Sequence, residues 1–263
     1  MNSYNTVIST LLKPYAAGEK MTRMTSQSSV RSVRHELLDA AVDLLDKHGP
    51  DALQTRKVAG VAGTSTMAVY THFGGMQPLI DAVAEEGLRQ FDEALTMPPT
   101  DDPVADLVAT GVAYRRYAIE RPHMYRLMFG STSAHGINAS TQNVLTQTVA
   151  EIEQRNPSFA HLVRAVHRSM LAGRITVGAA DNDPADAAVV ATAAQVWALI
   201  HGFVMLELAG FYGTDGAAVG PVLATMTSNL LVALGDSPER AKQSQRSAVA
   251  NSPGVRAHET PGT

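Results

Sequence analysis

The chain has 263 residues and a formal net charge of −4; it is 45% hydrophobic and 17% charged, and contains no cysteine. This length suffices for one large or two small domains with buried cores. Without cysteine, disulfides, thiolate metal sites and thiol nucleophiles are excluded, and the acidic balance argues against non-specific coating of nucleic acid. The 9 histidines form no H-x-x-x-H or H-E-x-x-H pair, so the sequence predicts neither a metal site nor a cofactor.

The N-terminal residues are locally basic. Against a single acid, Glu19, residues 1–34 carry Lys13, Lys20, Arg23, Arg31 and Arg34. Their Ser-, Thr- and Met-rich composition has no helical period, which predicts a disordered leader over residues 1–31. Either a solvated tail or an arm that touches DNA phosphates fits this charge. No signal-peptide pattern is found, and no apolar run reaches about 18 residues, so a soluble, cytoplasmic protein is expected.

The apolar residues that follow recur at helical spacing, without strand patterns or internal repeats, which predicts an all-α fold. A first helix is expected from about Ser32 to Gly49-Pro50, with Leu37, Ala41, Leu44 and Leu45 on one face. A later helix with an apolar stripe ends at Leu95, where "MPPTDDP" predicts a domain boundary. Further helices are expected at residues 104–120, through "HMYRLMF", and at 140–154, 158–172, 185–210 and 217–234, with a loop at "GSTSAHG".

The stretch "TRKVAGVAGTSTMAVYTHFGG", residues 55–75, predicts two short helices joined by a tight turn. Thr55 or Gln54 can cap the first helix, and Ser65 can cap the second. Gly63 stands at the turn, where a left-handed conformation is cheap only for glycine. The residues expected to face inward are Val58, Val61, Ala62, Val69 and Phe73.

Two helices joined in this way form a helix-turn-helix, whose second helix enters the major groove of DNA. Small side chains at its start let the backbone approach the base edges. Tyr70 and His72 can reach phosphates, and Arg56 can reach a phosphate or a guanine edge. The alternative is a plain helical hairpin whose polar side chains are only solvated.

Over residues 34–95 the chain resembles the tetracycline-repressor (TetR) family of bacterial transcription regulators. The shared pattern is T-x-x-x-[VIL]-A, a glycine and a segment ending in Y-x-H-F, and here it reads "TRKVAGVAGTSTMAVYTHF". The resemblance implies a homodimer whose two recognition helices occupy successive major grooves of a double-stranded DNA operator. The positions that it assigns to DNA are Thr55, Arg56, Ser65, Thr66, Met67, Ala68, Tyr70, Thr71 and His72.

One position departs from the family pattern. Many members carry a phosphate-binding lysine a few residues after the aromatic residue, where this chain has Met76. We therefore expect one phosphate contact fewer per protomer and a shallower salt dependence of DNA binding. The basic leader can compensate for this loss.

The second half resembles one branch of the same family, through "ERPHMYRLMFG" and the W-x-x-x-H-G motif at residues 197–202. Methionine and aromatic side chains at helical spacing form either plain core or an adaptable apolar cavity. Trp197 and His201, four residues apart, either pack together or contact a ligand. The candidates for binding a small, largely apolar ligand are Val112, Met128, Phe129, Val166, Met170, Trp197 and His201.

The last two predicted helices are poor in charge and rich in small residues such as Ala191, Ala198 and Gly202. They are either buried in a monomer or paired about a two-fold axis as a four-helix bundle, and the resemblance favours the dimer. The resulting domain plan is a DNA-binding domain at residues 32–95, a ligand-binding and dimerisation domain at 101–235, and a disordered tail at 236–263.

The sequence therefore predicts a repressor that a small apolar ligand releases from its operator. No G-x-S-x-G, G-x-x-x-x-G-K-[ST] or G-x-G-x-x-G motif is present, so no enzymatic activity is expected. The alternative is a carrier of apolar molecules, or an enzyme, in which the DNA-binding unit is vestigial.

Overall fold

The structure is a computed structural model that describes residues 32–129, 143–176, 185–213 and 215–251. The leader at 1–31 and the "GSTSAHG" loop lie outside these residues. Every regular element that is described is helical, so the predicted all-α class is confirmed. The helices are α1 Val33–His48, α2 Thr55–Val61, α3 Thr66–Phe73, α4 Met76–Leu95, α5 Pro103–Glu120, α6 Pro122–Met128, α7 Val149–Arg155, α8 Pro157–Leu171, α9 Asp186–Leu208, α10 Thr225–Ala233 and α11 Pro238–Asn251.

Helices α1 to α4 share a core that continues without a break into α5, α6 and α9. Leu37, Leu45, Val58, Val69 and Val83 are fully buried in it. Val61, which the pattern places on the inward face of α2, is 56% exposed. The buried residues of α2 are instead Val58 and Ala59, and this helix packs against α1 and α3.

A second core cluster joins α5, α8, α9, α10 and α11. Leu162, Val163, Val166 and Met170 of α8 are buried in it, as their spacing predicts. The helix expected at residues 140–154 is shorter. Residues 144–146 form only a 3-10 turn, and α7 begins after Thr148, whose side chain and Glu151 form a capping box.

The tail predicted to be disordered from residue 236 contains α11, which packs against α5 and α10. Its inward positions are Ala241, Ser244 and Ala248, which give no strong apolar stripe. Arg174 holds this helix in place: its guanidinium donates to both carboxylate oxygens of Asp236 at 2.8 and 2.6 Å and to the Ser244 hydroxyl at 3.0 Å. Residues 252–263 lie outside the described part of the chain.

The last helix predicted, at 217–234, begins as a π-helical turn at Val219–Ala224 and continues as α10. Helix α9 bears on the expectation that no apolar run reaches about 18 residues. By length and composition alone, Asp186–Leu208 is long and apolar enough to cross a membrane. One such helix is weak evidence, since core helices of soluble proteins pass the same test, and α9 contributes to both core clusters.

Candidate DNA-binding surface and ligand cavity

The turn between α2 and α3 is built as a helix-turn-helix requires. Gly63 has φ +65°, and the backbone N–H of Thr64 donates to the Ala59 carbonyl at 2.9 Å, which closes the end of α2. Gln54 and Ser65 occupy the positions before α2 and α3, but neither side chain makes a capping hydrogen bond. Ser65 is exposed, and because it makes no capping hydrogen bond its hydroxyl is available for an external partner.

The outer face of α3 is exposed and carries two large side chains, Met67 and Tyr70. Met67 is 67% and Tyr70 is 56% exposed, and Thr66, Thr71 and His72 are also exposed. The Thr71 hydroxyl donates to the Met67 carbonyl at 3.1 Å, so towards DNA it can only accept a hydrogen bond or present its methyl group. Met67 and Tyr70 lie three residues apart on one side of α3, so together they form one exposed patch.

The remaining predicted DNA contacts differ in access. Arg56 on α2 is exposed, and so is Lys57 beside it, a second cation that the motif did not single out. Ala68 is half-buried and packs against the core, which leaves it little surface for DNA. Phe73, expected to face inward, is half-buried, and the Arg34 guanidinium lies 4.7 Å from its ring centroid. Arg34 thus belongs to α1 rather than to a leader arm.

Met76, at the position of the family's lysine, is half-buried and packs against the core of the helix-turn-helix. The Thr55 hydroxyl, itself half-buried, points to its sulfur at 3.8 Å. Both side chains therefore face each other across the start of α4. The thioether supplies neither charge nor a donor for a phosphate.

A lysine at this position should restore the missing phosphate contact. We expect Met76→Lys to tighten DNA binding at low salt and to steepen the slope of log K against log[salt] by about 0.9 per protomer. Fluorescence anisotropy across salt concentrations measures this slope. Met97→Lys, in the exposed connection between α4 and α5, adds the same charge elsewhere and is the matched control. Equal slopes for the two variants would contradict the assignment.

A cavity of about 720 Å³ lies beside α4, between α5, α7 and α8. Its inner wall is aromatic: Phe91, Tyr114, Phe129, Phe159 and Trp197 line it. Phe91 and Tyr114 meet edge to face at 5.0 Å, and Phe159 lies 5.5 Å from Trp197. This volume is in the range of about 300 to 1,000 Å³ that holds small molecules. We call it the aromatic cavity.

Hydrogen bonds join the polar atoms behind this wall into a chain. The indole N–H of Trp197 donates to the Tyr114 hydroxyl at 3.2 Å, which lies 2.8 Å from the Tyr125 hydroxyl. The Tyr125 hydroxyl lies 2.7 Å from Nδ1 of His201. Burial raises the pKa of Tyr114 to about 12 and also raises that of Tyr125, so both keep their protons.

The charge state of His201 decides whether its Nδ1 donates or accepts. Burial lowers the pKa of His201, which is therefore neutral at pH 7 and can accept at Nδ1. Both tyrosine hydroxyls lie within hydrogen-bond distance of this Nδ1, that of Tyr114 at 3.1 Å and that of Tyr125 at 2.7 Å, and donation from either one leaves the imidazole proton on Nε2. Because these polar atoms satisfy one another, the wall that they support remains apolar towards the cavity.

The predicted ligand residues separate into three groups. Met128, Phe129 and Trp197 line the aromatic cavity, and His201 lies behind it in the hydrogen-bonded chain. Val166 and Met170 are buried in the second core cluster and line neither the aromatic cavity nor the depression next to α11. Val112 lines a different depression, next to α11. Tyr114 was not among the predicted site residues, although its place in a Tyr-rich segment was a usable signal.

Helices α4 and α6 connect the cavity to the DNA-binding unit. Five cavity residues belong to α4: Glu85, Leu88, Arg89, Phe91 and Asp92. Gly74 and Gly75, with φ +81° and +152°, separate the start of α4 from the end of α3. A Cβ on Gly87 would lie 2.5 Å from the sulfur of Met124, so glycine permits α6 to pack this closely on α4.

A second connection joins α6 to α1. The Arg121 guanidinium forms an ion pair with Asp46, and the two side chains are 21% and 29% exposed. His123 lies against Gly49, where a Cβ would come within 3.2 Å of its ring. Since Phe129 directly follows α6 and lines the cavity, a displacement of α6 would reach both α1 and α4.

No group of three or more His, Asp or Glu side chains that could hold a metal ion occurs in the described ranges. Several charged residues at the mouth of the cavity form ion pairs or hydrogen bonds with neighbouring charged residues. Arg89 pairs with Glu86 and Glu93, and His161 lies 2.8 Å from Asp92. The mouth is therefore polar, whereas the interior is aromatic.

Comparison with known proteins identifies both halves of this architecture. The family model of bacterial regulatory proteins of the tetR family matches residues 37–83, and that of the tetracyclin repressor-like C-terminal domain matches residues 107–230. An uncharacterized HTH-type transcriptional regulator of Mycobacterium tuberculosis is 26% identical over 207 residues, which span 75% of this chain and 81% of that protein.

Two further proteins are similar to this chain, one over a short segment and the other over most of its length. The class A tetracycline repressor found in Escherichia coli is 39% identical over 66 residues, 25% of this chain and 30% of that protein. A solved structure of a protein of unknown function from Rhodococcus has 28% identity and a TM-score of 0.59, and the match covers 83% of this chain and 100% of that one. The chain belongs to the tetR family and is a DNA-binding transcriptional regulator.

Proposed function

We propose that this regulator is a homodimeric repressor, and that it leaves its operator when a small, largely apolar ligand fills the aromatic cavity. The observation that supports this most directly is the position of α4. One side of this helix lines the cavity, and its first residue follows the recognition helix α3 after only Gly74 and Gly75. A ligand that displaces α4 therefore displaces α3.

The proposed DNA surface consists of the exposed side chains around the turn. Tyr70 and His72 contact phosphates, Thr66, Met67 and Thr71 face the base edges, and Arg56 contacts a phosphate or a guanine. Ser65 and Thr55 complete the set at the ends of the helices, although Thr55 and Ala68 are half-buried and contribute less. We add Lys57, which is exposed beside Arg56.

The proposed dimer surface is a stripe along α9. Its exposed positions recur every three or four residues, and the side chains are almost all small and uncharged. The stripe consists of Ala187, Ala191, Gln195, Ala198, Gly202, Leu206 and Ala209. Met226 and Val232 of α10 are also exposed, at 42% and 39%. Small residues allow two helices to approach closely, so two copies can form a four-helix bundle.

The chemistry of the cavity limits the ligand. An aromatic ring fits between Phe129, Phe159 and Trp197, where stacked and edge-to-face contacts contribute beyond area burial. The polar mouth suits one hydrophilic substituent that remains near water. Coupling between ligand and operator is expected in the usual range of about 1 to 3 kcal/mol, a 5- to 150-fold change in affinity. Such a regulator acts in the cytoplasm, where a bacterial chromosome lies.

A substitution in α3 tests the DNA surface. We expect Tyr70→Ala to weaken binding to DNA from the protein's own promoter region by about tenfold or more, because each half-site loses one contact. Fluorescence anisotropy measures the affinity, and sedimentation checks that the dimer persists. Tyr70→Phe distinguishes the contribution of the hydroxyl to DNA binding from that of the ring. Leu145→Ala, in an equally exposed position outside the DNA-binding unit, is the control and should bind normally.

The same assay decides whether the DNA-binding unit is functional. A repressor prefers its own promoter DNA to a scrambled duplex, and this preference persists as salt weakens both complexes. Equal affinity for the two duplexes at every salt concentration would favour a carrier of apolar molecules with a vestigial DNA-binding unit. Unchanged promoter affinity in Tyr70→Ala would remove only that residue from the contact surface.

A further inference from the structure

A second depression, of about 710 Å³, lies on the opposite side of α5 and α9 from the aromatic cavity. We call it the C-terminal groove. Its walls are α5, α9, the π-helical turn with α10, and α11. Helix α11 lies beyond residue 230, where the match to the C-terminal family model ends. This helix therefore adds a wall that lies outside the matched region.

The floor of the groove is aliphatic. Leu107 and Val112 of α5, Leu199 and Ile200 of α9 and Leu223 of the π-helical turn line it, and no aromatic ring does. Gly111 also lies in the floor, and a Cβ there would meet no other atom within 4 Å. A flexible aliphatic chain fits this lining, whereas the aromatic cavity suits a flat ring.

Cations stand along one wall of this aliphatic groove. Lys242 and Arg246 of α11 line it with exposed side chains, one turn apart. Within the described part of the chain, neither of them forms an ion pair. The third cation, Arg115, is held by Glu207, with N–O distances of 2.8 and 2.6 Å. Two uncompensated positive charges beside an aliphatic surface attract an anion that carries an aliphatic chain.

We propose that the C-terminal groove binds a single-chain amphiphile with an anionic head, such as a fatty acid. Its aliphatic chain lies on the floor between α5 and α9. Its carboxylate accepts hydrogen bonds from Lys242 and Arg246. This site is separate from the aromatic cavity, and it does not depend on whether that cavity holds the releasing ligand.

Calorimetric titration of the full-length protein with laurate tests the site. We expect Gly111→Leu, which fills the floor, to lower the affinity about tenfold or more without harming α5, since leucine favours helix over glycine. Lys242→Gln combined with Arg246→Gln should lower it severalfold, and Arg240→Gln, on the same helix but outside the groove, should not. Leu88→Trp, which narrows the aromatic cavity, should leave laurate binding unchanged.

The same series of titrations tests the charge of the head group and the identity of the molecule that occupies the groove. Laurate and dodecyl phosphate should both bind more tightly than dodecyltrimethylammonium, and their ranking tells a carboxylate from a phosphate ligand. Three results of the binding measurements would overturn the proposal. They are equal binding of the cationic amphiphile, laurate binding that is lost in Leu88→Trp but retained in Gly111→Leu, and binding only by a chain cut after Asn251, which would make the chain's own tail the occupant. Dissociation of the dimer by Gly111→Leu would assign the groove to a second copy and also overturn it.

Discussion

Ala198→Glu is expected to convert the protein into a monomer and to lower its affinity for operator DNA by about 10²- to 10⁴-fold. Ala198 lies in the middle of the exposed stripe on α9. Two copies packed on this stripe would bring two glutamates together in an apolar interface, where unpaired charges are costly. Without the dimer, each recognition helix meets its half-site alone, and the gain from simultaneous binding disappears.

Sedimentation equilibrium and fluorescence anisotropy measure the two effects separately. Ala150→Glu, on the exposed face of α7, introduces the same side chain away from the stripe and should leave both the dimer and DNA binding intact. Circular dichroism establishes whether the variant is folded. A folded Ala198→Glu protein that remains dimeric would show that the two copies associate through another surface.

The elements that carry function could be predicted from the sequence because they follow local rules. Gly63 at the turn, Val58 and Val69 in the core and the exposed outer side of α3 follow from helical spacing and glycine conformation. The exposure of Val61 could not be predicted from helical spacing. On a helix of only 7 residues, a small rotation about its axis changes which face is buried, and here Ala59 is buried whereas Val61 is exposed. Spacing alone does not resolve such a rotation.

The candidate cavity was predicted less well, because it depends on which of several apolar faces meet. Met128, Phe129 and Trp197 belong to it, whereas Val166 and Met170 lie in the second core cluster, although all five are apolar side chains in or next to helices. The hydrogen-bonded chain joins residues as far apart in sequence as Tyr114 and His201. A pairing over that distance leaves no periodic signal.

Helix α11 was missed for a different reason. Its inward residues are Ala, Ser and Ala, so hydrophobic periodicity is weak, and a polar network holds it instead. The start of the helix was nevertheless marked in the sequence. Ser237, Pro238 and Glu239 give a capping residue, a proline at the first helical position and an acid in the first turn. The Ser237 hydroxyl accepts from the backbone N–H of Arg240 at 3.3 Å.

That polar network leads to the second large effect. We expect Arg174→Met to lower the free energy of unfolding by about 3 to 5 kcal/mol, the usual cost of removing one partner from a buried ion pair. The side chains of Arg174 and Asp236 are 7% and 0% exposed, so the substitution leaves a buried carboxylate without its cation. The hydrogen bond to Asp236 raises the pKa of Arg174, in accord with a tightly held pair.

The loss should be concentrated at the C-terminal end of the chain. Arg174 also donates to Asp102 at 3.0 Å, and the Ser244 hydroxyl donates to the same carboxylate at 2.6 Å, so one guanidinium links the start of α5 to α11. Hydrogen exchange should therefore accelerate first in α11 and in the first turn of α5. Urea unfolding at fixed protein concentration gives the overall loss.

Two further variants distinguish the buried pair from surface charge. Arg240→Met removes a cation that is 57% exposed and lies as far as 3.9 Å from Asp236. Because this pair is weak, the substitution should change the free energy of unfolding by no more than about 0.5 kcal/mol. Arg174→Met combined with Asp236→Leu removes both charges and should recover most of the loss, because no carboxylate then remains buried alone. If the double variant is as unstable as Arg174→Met, the stabilisation comes from the contacts with Asp102 and Ser244 instead.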